Sequence, residues 1–183
     1  MSFIYLDYAA TTPLSKAVKN TLIETIENQN DFFNSGSSTY EQAEAISHKI
    51  ELARKDIAET IGVLPREIIF TSGATESNNL ALKGVALAYE HKGNHIITSK
   101  AEHKAVLDVC SYLENQGFNV TYLDVDSTGK IDIKELENVL TDKTILISLM
   151  AVNNELGTIN DLHRIGKLAK KNKVILHVDA AQA

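Results

Sequence analysis

Cysteine is almost absent. Cys110 is the single thiol in 183 residues, which excludes an internal disulfide and fits a reducing cytoplasm. No apolar run approaches the ~18 residues that a bilayer-spanning helix needs, so no membrane is expected as a partner. Residues 1–7, Met-Ser-Phe-Ile-Tyr-Leu-Asp, lack the basic region and long apolar stretch of a secretory signal. Basic clusters are missing too. The longest is Lys170-Lys171, and 18 Lys/Arg against 24 Asp/Glu leave a net charge of −6, which argues against nucleic acid as a partner. Neither a Gly-x-Gly-x-x-Gly nor a P-loop lysine motif occurs, which argues against a nucleotide site. There is no internal repeat and no low-complexity segment. The 44% apolar and 23% charged content is that of a soluble globular protein long enough to build a sizeable core.

What is present is periodic. Residues 3–6 are a short apolar run ending at Asp7, and Ala9-Ala10-Thr11-Thr12-Pro13 follows as a small-residue arm. Val18, Leu22, Ile23 and Ile26 recur at helical spacing, and 30–38 reads as a loop. A longer helix carries Ala43, Ile46, Ile50, Ala53, Ile57 and Ile61 on one stripe, with a Thr39/Gln42 capping box at its start and Gly62 at its end. Apolar runs at 67–71, 95–99, 120–123, 144–149 and 174–178 predict five strands. Helical patterns near 76–90, 104–115, 132–140 and 161–172 lie between them. This alternation predicts an α/β fold, a mostly parallel sheet with helices on both faces. In such sheets ligands gather beyond the carboxyl ends of the strands.

The polar residues at those ends form a chemical set. Phe70-Thr71-Ser72-Gly73-Ala74-Thr75 is a strand, turn and helix start that aims free N–H groups at an anion, phosphate above all. A bare N-cap would look similar. Lys100-Ala101-Glu102-His103 follows the second run, Asn153-Asn154-Glu155 the fourth, and Asp179 and Gln182 the fifth. An anion cup, an imidazole, amides and a carboxylate on one edge suit a phosphorylated heteroaromatic cofactor, and pyridoxal phosphate meets each requirement. Such a cofactor also needs a lysine.

Five stretches carry a resemblance: Leu6–Pro13, Phe70–Asn79, Glu102-His103-Lys104, Val152–Gly157 and His177–Ala183. In order and approximate spacing they resemble successive signatures of the cysteine desulfurases, which are class V, fold-type I pyridoxal-phosphate enzymes. The resemblance implies the N-terminal portion of a fold-type I large domain over 16–183, with an arm at 1–15 that normally packs on a small domain. It implies that Ala74 and Thr75 hold the phosphate, and that His103 stacks on the ring and assists proton transfer. Asp179 pairs with the ring nitrogen, and Asn154 and Gln182 approach the ring hydroxyl. Asn34 holds the substrate carboxylate, although Asn34-Ser-Gly-Ser-Ser-Thr-Tyr40 departs from the family's usual Asn-Pro-Ser-Ser followed by His. No metal is implied. The implied reaction takes sulfur from L-cysteine, leaving alanine and an enzyme persulfide. The sulfur then passes to acceptor proteins for iron–sulfur cluster assembly or tRNA thiolation, in a cytoplasmic homodimer.

The family's Schiff-base lysine and nucleophilic cysteine lie on segments further along than Ala183, so the resemblance implies half an active site, an unpaired sheet edge and no activity in isolation. A selenocysteine lyase or another class V enzyme would share these motifs, and a non-catalytic dimerisation or interaction module is the reading from a different class. Other residues read as structural. Cys110 shares a helical stripe with Val106, Leu107 and Leu113 and belongs to a core. Asp124–Glu135 has acidic and glycine offsets of an EF-hand loop but follows a strand, so it reads as a solvated turn. Lys167, Lys170, Lys171 and Lys173 read as a solvated helix end. Residue types alone leave Asn153 and Asn154 open as a plain turn pair.

Overall fold

The computed structural model describes residues 4–183, so Phe3 of the 3–6 run lies outside it. Helices α1 (Lys16–Glu27) and α2 (Glu41–Ile61) and a 3₁₀ turn (Pro65–Glu67) come first. Then follow α3 (Ala74–Tyr89), β1 (His95–Ser99), α4 (Lys104–Glu114), β2 (Asn119–Leu123), α5 (Ile133–Val139), β3 (Thr144–Met150), α6 (Leu162–Asn172) and β4 (Ile175–Asp179). The chain forms two units, Thr11–Phe70 and the segment ending at Ala10 together with Thr71–Ala183. Within this grouping the arm up to Ala10 goes with the sheet. No helix among the described residues is long and apolar enough to cross a membrane.

In the larger unit the four strands are all parallel, in the order β2-β1-β3-β4. Both central strands are buried along their whole length, which is why they read as continuous apolar runs instead of alternating ones. Helices cover both faces. On one, Leu82 and Ala86 of α3 and Val106 and Cys110 of α4 pack with Ile96 and Leu146. On the other, Leu136 of α5 and Ile165 and Leu168 of α6 pack with Ile97, Ile147 and Leu149. The chain winds outward in opposite directions from β1 and β3, so the crevice at their carboxyl ends is the topological switch point.

Two expectations are corrected here. Residues 67–71 form no strand: they run from the 3₁₀ turn into irregular backbone, and Ile69 and Phe70 are 67% and 49% exposed. A strand requires a ladder partner as well as β-branched residues, and this segment pairs with none of the described residues. Arg54 braces it instead, donating to the Ile68 carbonyl and lying 4.8 Å from the Phe70 ring centre. The capping box at α2 is also absent. The N-cap is Tyr40, one residue later than expected, and the Thr39 hydroxyl pairs with that of Ser37 at 2.9 Å.

Gly62 ends α2 as expected, in the left-handed conformation (φ 74°) that suits glycine. The Asp124–Glu135 stretch closes through an antiparallel Val125–Ile131 bridge, with Asp126 accepting from Thr128 and Lys130 N–H and Asp132 capping α5. It is a turn leading into a helix.

Candidate active site

Each functional side chain is placed by the end of an element. β1 stops at Ser99, and four residues later His103 becomes the N-cap of α4, its Nδ1 accepting from the Ala105 N–H at 3.1 Å. The cap holds the neutral ring in the tautomer whose proton is on Nε2. β4 stops at Asp179, a buried residue whose Oδ1 accepts from the Ala181 N–H at 3.0 Å and whose Oδ2 accepts from Asn78 Nδ2 at 2.8 Å. Gln182 donates to the Ala9 carbonyl at 2.9 Å and so ties the arm to this edge. At the start of α3 the N-cap is Gly73, which has no side chain to occupy the helix's free N–H groups.

The turn before α3 is braced. The Ser72 N–H and hydroxyl each donate to Glu76 at 2.6 Å, which holds the Glu76 carboxyl below its ordinary range, the hydroxyl contributing most. The Thr71 and Ser77 hydroxyls pair at 2.7 Å across it.

These ends enclose a cavity of about 370 Å³, a size usual for small-molecule sites. Its wall includes Ala74, Thr75, His103, Asn154, Asp179 and Gln182, together with Asp7, Ala9, Ala10, Met150, Val152, Glu155 and Ala181. All six residues expected to hold a cofactor therefore converge. Asn34 belongs to the Thr11–Phe70 unit, where it is exposed and its Oδ1 accepts from the Gly36 N–H at 3.0 Å. Lys100 pairs with Asp124 at 2.6 Å, and neither it nor Lys104 is a wall residue.

The two asparagines after β3 divide their work. Asn153 is buried, donates to the Ala101 carbonyl at 3.0 Å and accepts from the N–H groups of Glu155 and Leu156, so it ties one strand-end loop to the next. Asn154 stands in the cavity wall and donates to Glu155 at 2.9 Å.

Glu102 is buried beneath this edge. Ser99 Oγ donates to its Oε1 at 2.7 Å, while Oε2 has no hydrogen-bond partner among the described residues. Burial, reinforced by the charge of Asp179, pushes this carboxyl up to about 7 against the bonds that favour its anion. His177 shares a hydrogen bond of 2.9 Å with Ser148, and burial lowers its pKa although Asp179 opposes the change. Cys110 is fully buried and its thiol is pushed up to about 12, chiefly by desolvation, which leaves it inert as a nucleophile.

Sequence reasoning missed five contributors. Asp7 and the alanines of the arm are wall residues, and their motif had been visible without its location. Asn78 holds Asp179, and its signal was a spacing of four residues from Ala74, which puts both on one helix face. Glu102 carried no signal beyond standing next to His103.

The family description "Aminotransferase class-V" matches residues 4–183. The cysteine desulfurase IscS of Colwellia psychrerythraea is 51% identical over 180 residues, covering 98% of this chain and 45% of its own length. That of Shewanella loihica is 52% identical with the same coverage. Among solved structures, one described as "SspA in complex with cysteine" superposes with a TM-score of 0.89 at 42% identity, over 98% of this chain and 51% of its own. A "NIFS-like protein" does so with a TM-score of 0.92 at 40% identity, over 98% and 49%. The chain thus spans about half the length of the curated relatives it matches.

Proposed function

The chain belongs to the aminotransferase class-V family, and from that premise we propose that its cavity is the pyridoxal-phosphate site of a cysteine desulfurase. The observation that carries the reading is one cavity walled by both the uncapped start of α3 and the buried carboxylate of Asp179. The residues fit the cofactor. Helix N-termini bind phosphate, and the α3 backbone advances about 6 Å between Ala74 and Asn78 at 1.5 Å per residue. A ring with a phosphate on one side and a basic nitrogen on the other needs an anion cup and a carboxylate held apart in this way. Bound there, the cofactor supplies an electron-withdrawing ring that stabilises negative charge on the substrate.

The chain's own residues supply the rest. Ala74 and Thr75 hold the phosphate, and Asp179 accepts the proton-bearing ring nitrogen as a hydrogen-bond donor. Asn154 and Gln182 bind ring substituents, and the Gln182 bond to Ala9 closes the arm over the edge. His103 lies against the ring and exchanges a proton at Nε2, because Nδ1 is committed to the helix cap. The assignment of Asn34 to the substrate carboxylate rests on the resemblance alone, since Asn34 lies in the Thr11–Phe70 unit and is not a wall residue of the cavity. The substrate of the whole enzyme is L-cysteine, a reading supported by the cysteine named in the SspA structure. The products are alanine and a persulfide sulfur passed to acceptor proteins, and the IscS relatives point to iron–sulfur cluster assembly as its destination. The homodimer and the cytoplasmic location rest on the resemblance alone.

Titration of the chain with pyridoxal phosphate, followed by cofactor absorbance and tyrosine fluorescence, tests this reading. One equivalent is expected to bind. Asp179→Asn, which removes one charge-assisted bond worth about 1.5–3 kcal/mol, is expected to weaken binding roughly tenfold to a hundredfold. A folded wild type with no saturable binding, or equal binding by the variant, would overturn it.

A further inference from the structure

We propose that Asn78 is a positioning residue for the cofactor ring, acting through Asp179 and making α3 the element that fixes both ends of the cofactor. The assignment rests on the pyridoxal-phosphate reading of the cavity. Its physical basis is local. Asn78 is 3% exposed, and its Nδ2 donates to Asp179 Oδ2 at 2.8 Å across 101 residues of sequence. An ionised carboxylate only accepts, so the amide nitrogen and not the oxygen must face it. Asn78 itself is not part of the cavity wall.

Several features make this more than packing. Asparagine is a poorer helix former than alanine or leucine, and a buried polar side chain requires a partner. Both costs are accepted in the second turn of α3, on a face otherwise continued by the core residues Leu82 and Ala86. The second carboxylate oxygen is held independently by the Ala181 N–H at 3.0 Å, so the two donors together set the plane of the carboxylate. Ala74 and Thr75 line the cavity from the first turn of the same helix. Residues four apart share a helix face. The distance between anion cup and carboxylate is therefore set by one rigid element, which is more precise than setting it by two loops.

The test compares pyridoxal phosphate with an analogue that has carbon in place of the ring nitrogen. In the wild type both bind, the cofactor more tightly. Asn78→Ala is expected to weaken pyridoxal phosphate about tenfold and to leave the carbon analogue within twofold, because only the nitrogen meets Asp179. Asn78→Ser, uncharged and still polar, guards against loss of the fold and is expected to weaken pyridoxal phosphate no more than Asn78→Ala does while sparing the analogue. Equal weakening of both ligands in the two variants, or no effect on either, would overturn the assignment. A wild type that binds neither ligand would overturn the cofactor reading itself, and this assignment with it.

Discussion

Glu102 makes the sharpest statement about a single residue. Its carboxyl rises from an ordinary 4.5 to about 7 in the folded chain, mainly through burial. The folded state therefore binds a proton more tightly than the unfolded one. The resulting stabilisation is fully present below pH 4.5 and is lost as pH rises through about 7. At about 1.4 kcal/mol per pH unit, the loss is on the order of 3 kcal/mol. Urea unfolding at pH 5 and pH 8 should show the wild type losing about that much more stability than Glu102→Gln. Equal losses would show that Glu102 does not hold the proton. His103 offers a second residue-level prediction, because its ring is also a helix cap. His103→Ala should lower stability by about 1 kcal/mol and His103→Asn should preserve it, since asparagine caps well. Neither variant should retain the proposed ring contact with the cofactor.

At the scale of elements, the loops matter as much as the strands. Asn153 satisfies two backbone N–H groups and donates to a third loop position. Asn153→Ala removes three part-buried hydrogen bonds and should cost about 1–2 kcal/mol in a denaturant melt. Gly93, just before β1, is buried, and a Cβ there would overlap the Lys143 backbone. Gly93→Ala should destabilise by about 1–3 kcal/mol, as overpacking does.

The helices were legible in the sequence because each carries its own 3.6-residue period and needs no partner to be recognised. Four strands were legible as apolar runs, the two central ones fully buried. The run at 67–71 has the same composition and forms none, because a strand also depends on a neighbour that composition does not reveal. His103, Asn154, Asp179 and Gln182 were legible as polar groups after strands, whereas Ala74 and Thr75 were legible only as a turn and helix start. The bond between Asn78 and Asp179 was not, since nothing local links residues 101 apart. Nor did residue type separate Asn153 from Asn154, whose roles differ only in which way each side chain meets its neighbours.

The whole molecule is uneven. The Thr71–Ala183 unit holds both apolar clusters. In the Thr11–Phe70 unit, α1 buries no residue and α2 buries only Ala43 and Ala58, with Ile57 and Ile61 of the expected stripe 41% and 62% exposed. Amide hydrogen exchange should therefore find β1 and β3 protected near the global limit and α1 exchanging at least a hundredfold faster. Similar protection in both would contradict this picture.

The central claim is that the edge shared by α3, β1, β3 and β4 is the cofactor site, and backbone amide NMR during addition of pyridoxal phosphate tests it most directly. Saturable shifts should centre on Ala74, Thr75, His103, Asn154 and Ala181, with inorganic phosphate moving the first two alone. Shifts confined to surface lysines, or none at all in the folded chain, would contradict it.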